Sequence, residues 1–218
     1  MRISYLSLAV FIVGFACPSF CQNNSYFINP SFEDIPRQHR APKGWFDCGY
    51  PDESPVDVHA SGPDSEHAFF GVSEYAADGE TFLGMVVRDN GTYEGVTTKL
   101  LEPLFADSAY KLTLLVNQSV TYKSISRTTN EVVNYDQPVL FEIWGGRAHC
   151  VMSSLIAEYN IDDKGFWTGL TFHFTPEQDI KFIGLYARQA SNLDLNGNVL
   201  VDNICITKVD PVTLEERK

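Results

Sequence analysis

The sequence has few cysteines, no internal repeat, no long helical periodicity and no excess of positive charge. Each absence closes off a class of reading. Apolar residues at i, i+3, i+4 and i+7 never run beyond two turns, and Pro or Gly punctuates every long window, which argues against a helical body. The formal charge is −12, and so acidic a chain repels phosphate backbones, so nucleic acid is not an expected partner. Beyond residue 21 no apolar run is long enough to cross a bilayer as a helix. There is no Gly-x-Ser-x-Gly elbow, His-Glu-x-x-His pair or phosphate loop. Acids are plentiful, but no pattern picks out the facing pair that glycoside cleavage needs. On these grounds the sequence predicts a protein that is not an enzyme.

Cysteine is also sparse where it would count. Residues 1–21 read as a signal peptide: Arg2 gives a positive start, Leu6 to Ala16 is nearly unbroken apolar chain, and small residues flank a cut before Gln22. Cys17 offers a rival reading as a lipid-modified N-terminal anchor. Either way the protein is expected outside the cell, secreted or at the cell surface. Cys48, Cys150 and Cys205 then remain, an odd number with no Cys-x-x-Cys pair. Buried free thiols are the expectation, with one bonded pair at most.

What the sequence does hold is strand signal. Leu112, Leu114 and Val116 alternate with Lys111, Thr113 and Asn117. Leu170, Phe172 and Phe174 share one face, and Val139–Trp144 and Cys150–Ile156 flank Gly145-Gly146 as a hairpin would. Tyr26–Phe32, Ala68–Val72, Thr81–Arg88, Tyr93–Leu101, Ile180–Tyr186 and Val199–Thr207 complete about ten strands, a number that suits a sandwich. The expected fold is all-β, a two-sheet antiparallel β-sandwich of jelly-roll type, filling 22–209 as one domain before a charged tail at 210–218. Three polar loops stand out for length: 47–63, 121–137 and 190–198.

Five motifs in order carry a resemblance: Asn29-Pro30-Ser31-Phe32-Glu33-Asp34; Pro42-Lys43-Gly44-Trp45; Thr81–Val86; Leu100–Leu104 with Tyr110–Leu112; and Leu200-Val201-Asp202-Asn203-Ile204. Over residues 26–208 this series resembles the jelly-roll domains of carbohydrate-binding modules, of galactose-binding-like type, found in secreted proteins of Bacteroidetes-like bacteria. The resemblance implies a sandwich, often with a structural calcium ion. The 121–137 insertion, with no Trp and two Tyr, departs from the sugar-binding members.

Two candidate sites follow. Asp202 shares strand parity with Leu200, Ile204 and Ile206, so its carboxylate is expected toward the apolar face, where it needs a partner. The resemblance implies Ca2+ where first and last strands meet, with Glu33 and Asp202 as ligands and Asp78 adding a third oxygen; a plain hydrogen-bonded Asp is the alternative. The second site is an aromatic and polar patch for a glycan or cell-surface polysaccharide: Trp45 and Tyr50 beside Asp52 and Asp57, with Trp144 at a loop mouth. Trp45 has a competing reading as a core plug. Asp57 and His59 fall on one face of an extended segment, a weak metal signal. The expected function is thus a non-catalytic, exported sugar-binding module. The alternatives are a surface structural or adhesion protein, and a jelly-roll polysaccharide lyase or glycoside hydrolase.

Overall fold

The structure, a computed structural model, describes residues 26–63 and 68–209. The signal peptide, Cys17 and the charged tail lie outside the described residues. The strands are β1 (Phe46–Asp47), β2 (Asp57–Ala60), β3 (Thr81–Val87), β4 (Gly95–Leu104), β5 (Tyr110–Asn117), β6 (Lys123–Ile125), β7 (Val132–Asn134), β8 (Val139–Gly146), β9 (Ser154–Ile161), β10 (Thr168–Phe174), β11 (Ile180–Gln189) and β12 (Gly197–Lys208). Two five-stranded antiparallel sheets form, ordered β1-β4-β11-β8-β9 and β10-β5-β12-β3-β2, and β6 and β7 make a separate ribbon. The expected two-sheet β-sandwich is therefore the fold. No described helix is long and apolar enough to cross a membrane.

The core fills the space between the two sheets. Leu112, Leu114 and Val116 of β5 meet Val96 of β4, Phe141 and Ile143 of β8, and Ile183 and Leu185 of β11 there. The period-2 alternation of β5 and β8 puts these residues on one face, and each fully buried side chain contributes roughly 1.5–3 kcal/mol. Two expected strands are missing. Ala68–Val72 holds a single 3-10 turn at Phe69–Gly71. The Asn29–Asp34 segment is a turn, in which Asn29 Oδ1 accepts from Glu33 N and Asn29 Nδ2 donates to Glu33 O and Lys43 O. That turn still lies against the last strand, because Ile204 N donates to Pro30 O at 2.9 Å.

The parity argument for Asp202 fails at one residue. Asn203 has φ of 47°, and the β12–β5 ladder slips between Asp202 and Cys205. The extra residue swaps faces: Val199 and Val201 point into the main core, Leu200 points out, and beyond the slip Ile204 and Ile206 return to the core. Asp202 therefore shares the outer face with Leu200 rather than the face of Ile204.

The cysteine expectation also needs correction. Cys48 and Cys150 form a disulfide with Cα atoms 5.3 Å apart, joining the chain after β1 to the β8–β9 turn. Cys205 is likewise disulfide-bonded. Cys48 and Cys150 are 102 residues apart, and sequence spacing carries no signal for a bridge closed by folding across that distance.

Candidate functional site

β3 is buried along its whole length, on both faces. Leu83, Met85 and Val87 face the main core, while Phe82 and Val86 face outward. A cover over the outer face of the second sheet accounts for this. It consists of the segment around Phe70 and Val72 and the 121–137 insertion, which together with Leu200 enclose a second small core. The sequence expectation of a polar loop at 121–137 misses that cover. Tyr122 and Tyr135 are fully buried there, and their backbones pair across the hairpin, Tyr135 N to Tyr122 O at 2.8 Å. The turn of the hairpin is tied to the body by Asp89, which accepts from Ser126 Oγ, Arg127 N and Thr128 Oγ1.

Between this hairpin and the edge of the second sheet lies a cavity of about 300 Å³. That is the lower end of the size range of small-molecule sites. Phe70, Val86, Ile125 and Val132 supply apolar surface; Asp57, Arg88, Glu94 and Tyr122 are buried polar groups on its wall, and Lys123 and Arg127 lie at its exposed side. Asp57 is 3% exposed; its Oδ2 accepts from the Tyr122 hydroxyl at 2.7 Å and its Oδ1 from His39 N at 2.9 Å. Burial raises the Asp57 pKa despite these two donors. Glu94 is raised further, again by burial, with the charge of Asp57 adding to the effect against Arg88. Arg88 Nη2 donates to Glu94 Oε1 and to Ser54 Oγ, and Glu94 Oε2 accepts from Val86 N at 3.1 Å. Arg88 Nε also lies 3.8 Å from Glu53 Oε2, so one buried guanidinium faces two carboxyl groups, with Asp57 on the same cavity wall.

His59 lies on the same face of β2 as Asp57 and is 1% exposed. Its ring stacks on Phe82 at 5.5 Å and meets Tyr122 edge-on at 5.8 Å, and neither ring nitrogen has a hydrogen-bond partner. Burial pushes its pKa down to about 3, so the imidazole is neutral. Asp57 and His59 do share one face, as the sequence suggests, and they belong to no described group of three close metal-ligating side chains.

The expected aromatic patch does not assemble. Trp45 is 4% exposed, packs against Phe27 and Phe32, and donates its Nε1–H to Asn29 O, so it plugs the core. Tyr50 is 47% exposed and meets Tyr93 edge-on, Asp52 is exposed at a turn with φ of 67°, and half-buried Trp144 donates to Glu142 on β8. Of the five expected ligand residues, only Asp57 lines the cavity.

The three expected calcium ligands are each occupied by hydrogen-bond donors. Asp202 accepts from Ala77 N, Asp78 N and Asn203 N, and burial pushes its pKa up to about 7. Glu33 Oε1 accepts from Glu80 N and Thr81 N, and Asp78 Oδ2 accepts from Ser31 Oγ. N–H and O–H groups aimed at these oxygens suit carboxyl groups held by hydrogen bonds, not a calcium shell, which is built of oxygens pointing inward. The only described cluster with three close metal-ligating atoms is Cys48, His149 and Cys150.

No protein-family model and no curated protein matches the chain. Solved structures do. The Stig cyclase Fisc from Fischerella sp. TAU, in complex with (3Z)-3-(1-methyl-2-pyrrolidinylidene)-3H-indole, is 18% identical over 86% of this chain and 98% of its own, with a TM-score of 0.51. The adhesin domain of Lys-gingipain from Porphyromonas gingivalis W83 is 12% identical over 83% and 96%, with a TM-score of 0.50. A CBM22-1 xylan-binding domain from Paenibacillus barcinonensis is 15% identical over 83% and 92%, at 0.46. At these identities the likeness is one of fold alone.

The expectation of a non-catalytic module is overturned at this point. It rested on missing sequence motifs, and a cyclase with a bound small molecule has this fold over nearly its whole length. Catalysis in a sandwich of this kind needs no motif, because its groups come from separate strands and loops. The cavity residues Arg88, Glu94 and Tyr122 come from separate segments, so no sequence motif joins them. Only Asp57 carried a signal, as an acid in an extended segment.

Proposed function

We propose that the chain is an enzyme that donates a proton to a small, largely apolar substrate in the cavity under the β6–β7 hairpin, with Asp57 as the acid. The observation that carries this reading is a buried carboxyl of raised pKa, hydrogen-bonded to Tyr122, on the wall of a half-open cavity lined by both apolar and polar side chains. A carboxyl whose pKa burial raises is a better proton donor to a substrate atom that becomes basic in the transition state, an effect worth about 10²–10⁴ in rate. The carboxylate left behind is stabilised by the Tyr122 hydroxyl and His39 N–H. The apolar walls suit a ring-sized body, and the small-molecule ligand of the cyclase neighbour supports that choice of substrate class.

The test uses (3Z)-3-(1-methyl-2-pyrrolidinylidene)-3H-indole and a panel of small aromatic compounds, each with one carbonyl or basic nitrogen. Binding is read by calorimetry, and transfer of deuterium from D₂O into carbon-bound positions by NMR. The reading expects at least one binder that gains deuterium. It expects the rate to fall at least 100-fold in Asp57→Asn and about tenfold in Tyr122→Phe. An Asp57→Asn variant that folds and keeps the wild-type rate overturns it.

A saccharide is the second reading of the substrate. A neighbouring groove of about 420 Å³ holds the exposed ring of Tyr75, the ring of Trp167, Glu74 and the buried Asn117, whose Nδ2 has no partner. Trp167 Nε1 donates to Tyr75 O, which fixes the ring in place. Flat rings beside one amide donor and one carboxylate suit a pyranose. Binding to a glycan array that disappears in Trp167→Ala supports it, and no binding to any glycan removes it.

A further inference from the structure

The corner of the molecule at β1 and the β8–β9 turn is used by neither reading. There Cys48 and Cys150 are bonded, and His149 Nδ1 lies 3.2 Å from Cys150 Sγ. The three ligand atoms all fall within 4.8 Å of one another. We infer that reducing this disulfide creates a binding site for a soft divalent metal ion, zinc by preference, with Cys48, His149 and Cys150 as its protein ligands.

The geometry is close to what such an ion needs. In a tetrahedral zinc site with Zn–S of about 2.3 Å and Zn–N of about 2.0 Å, adjacent sulfur and nitrogen atoms lie about 3.5 Å apart and two sulfurs about 3.8 Å apart. The His149–Cys150 separation is already near that value. The two sulfurs need only move apart, which cleavage of their bond allows. A dithiol supplies the electrons: it is oxidised to its own disulfide, and Cys48 and Cys150 become thiols. The ion then displaces both thiol protons, and the imidazole binds through its neutral Nδ1 with a proton on Nε2. The fourth position stays open to water.

The backbone around the site does not depend on the disulfide alone. Cys48 N donates to Gly95 O at 2.8 Å, and Val151 N donates to Ala148 O across the turn. Phe46 meets the His149 ring edge-on at 5.1 Å and limits its swing. His149 is exposed, so both reductant and ion can reach it.

Cobalt(II) reports on such a site through thiolate-to-metal charge-transfer absorption and tetrahedral ligand-field bands. The full chain is titrated with Co²⁺ before and after reduction, and zinc is then added in competition. We expect one equivalent bound with both spectral signatures in the reduced protein only, and displacement by zinc. His149→Ala leaves the disulfide intact; after reduction it should bind at least tenfold more weakly. Cys48→Ser, which leaves a single thiolate, should bind at least tenfold more weakly and with a reduced charge-transfer band. No binding after reduction overturns the inference. So does equal binding by the oxidised protein, or binding that neither substitution weakens.

Discussion

His59 Nε2 lies 2.5 Å from the point where a Cβ on Gly84 would stand, so the imidazole is seated on bare backbone of β3. Phe82 and Tyr122 hold the ring from the other sides, so it cannot swing away. Gly84→Ala should therefore cost about 1–3 kcal/mol through overpacking. His59→Ala clears the space, so in the double variant the alanine at 84 should cost less than it does alone. Urea unfolding of the four proteins gives the coupling, and simple additivity contradicts this packing.

The same histidine makes stability depend on pH. Its pKa is about 3 in the folded chain, against 6.5 for an unperturbed imidazole, so below pH 6.5 the unfolded chain takes up a proton that the folded chain refuses. Folding is thereby weakened as pH falls from 6.5 toward 3. Asp202 acts in the opposite sense: raised from 3.8 to about 7, it favours folding at low pH and loses that contribution as pH rises to 7. Relative to wild type, His59→Phe should gain about 3 kcal/mol of stability on going from pH 7 to pH 4. Parallel pH profiles for the two proteins contradict the buried neutral histidine.

Asp202 closes three backbone N–H groups between the 77–78 segment and β12. Asp202→Ala strands these donors and should cost about 2–4 kcal/mol. Because the carboxyl is held by hydrogen bonds, a chelator should leave the melting temperature of the wild type unchanged. A fall on chelation restores the calcium expectation for Glu33, Asp78 and Asp202.

Arg88 and Glu94 are buried together beside Asp57. Removing one partner leaves the other uncompensated, so Arg88→Met should cost about 3–5 kcal/mol, and Arg88→Met with Glu94→Gln should recover part of that. Thermal melts of both variants decide it. If Arg88→Met is harmless, the pair does not hold the charge of the site in check.

Opening the Cys48–Cys150 bridge with a Cys48→Ser, Cys150→Ser double variant frees a loop of about 100 residues in the unfolded chain. The chain-entropy relation puts the loss at about 4–5 kcal/mol. Denaturant midpoints under oxidising conditions measure it.

The sandwich was legible because β5 and β8 alternate cleanly and one face of each must be buried. The slip at Asn203 was not, since a single left-handed residue inside an apolar run looks like ordinary strand and yet reverses every face beyond it. Trp45 was legible as a core plug beside Gly44. The cavity was not legible. Its acids come from β2 and from the chain before β4, and its tyrosine comes from an insertion whose polar composition hid two buried rings. The bridge between Cys48 and Cys150 was invisible for a similar reason, because only the folded chain brings the two together.

The β6–β7 ribbon shares no ladder with either main sheet. Its residues at the cavity, Ile125 and Val132 among them, can therefore change without disturbing the register of the ten strands beneath. What the cavity admits and how the two sheets pair are then governed by different residues, and a lineage can alter the first while leaving the second alone.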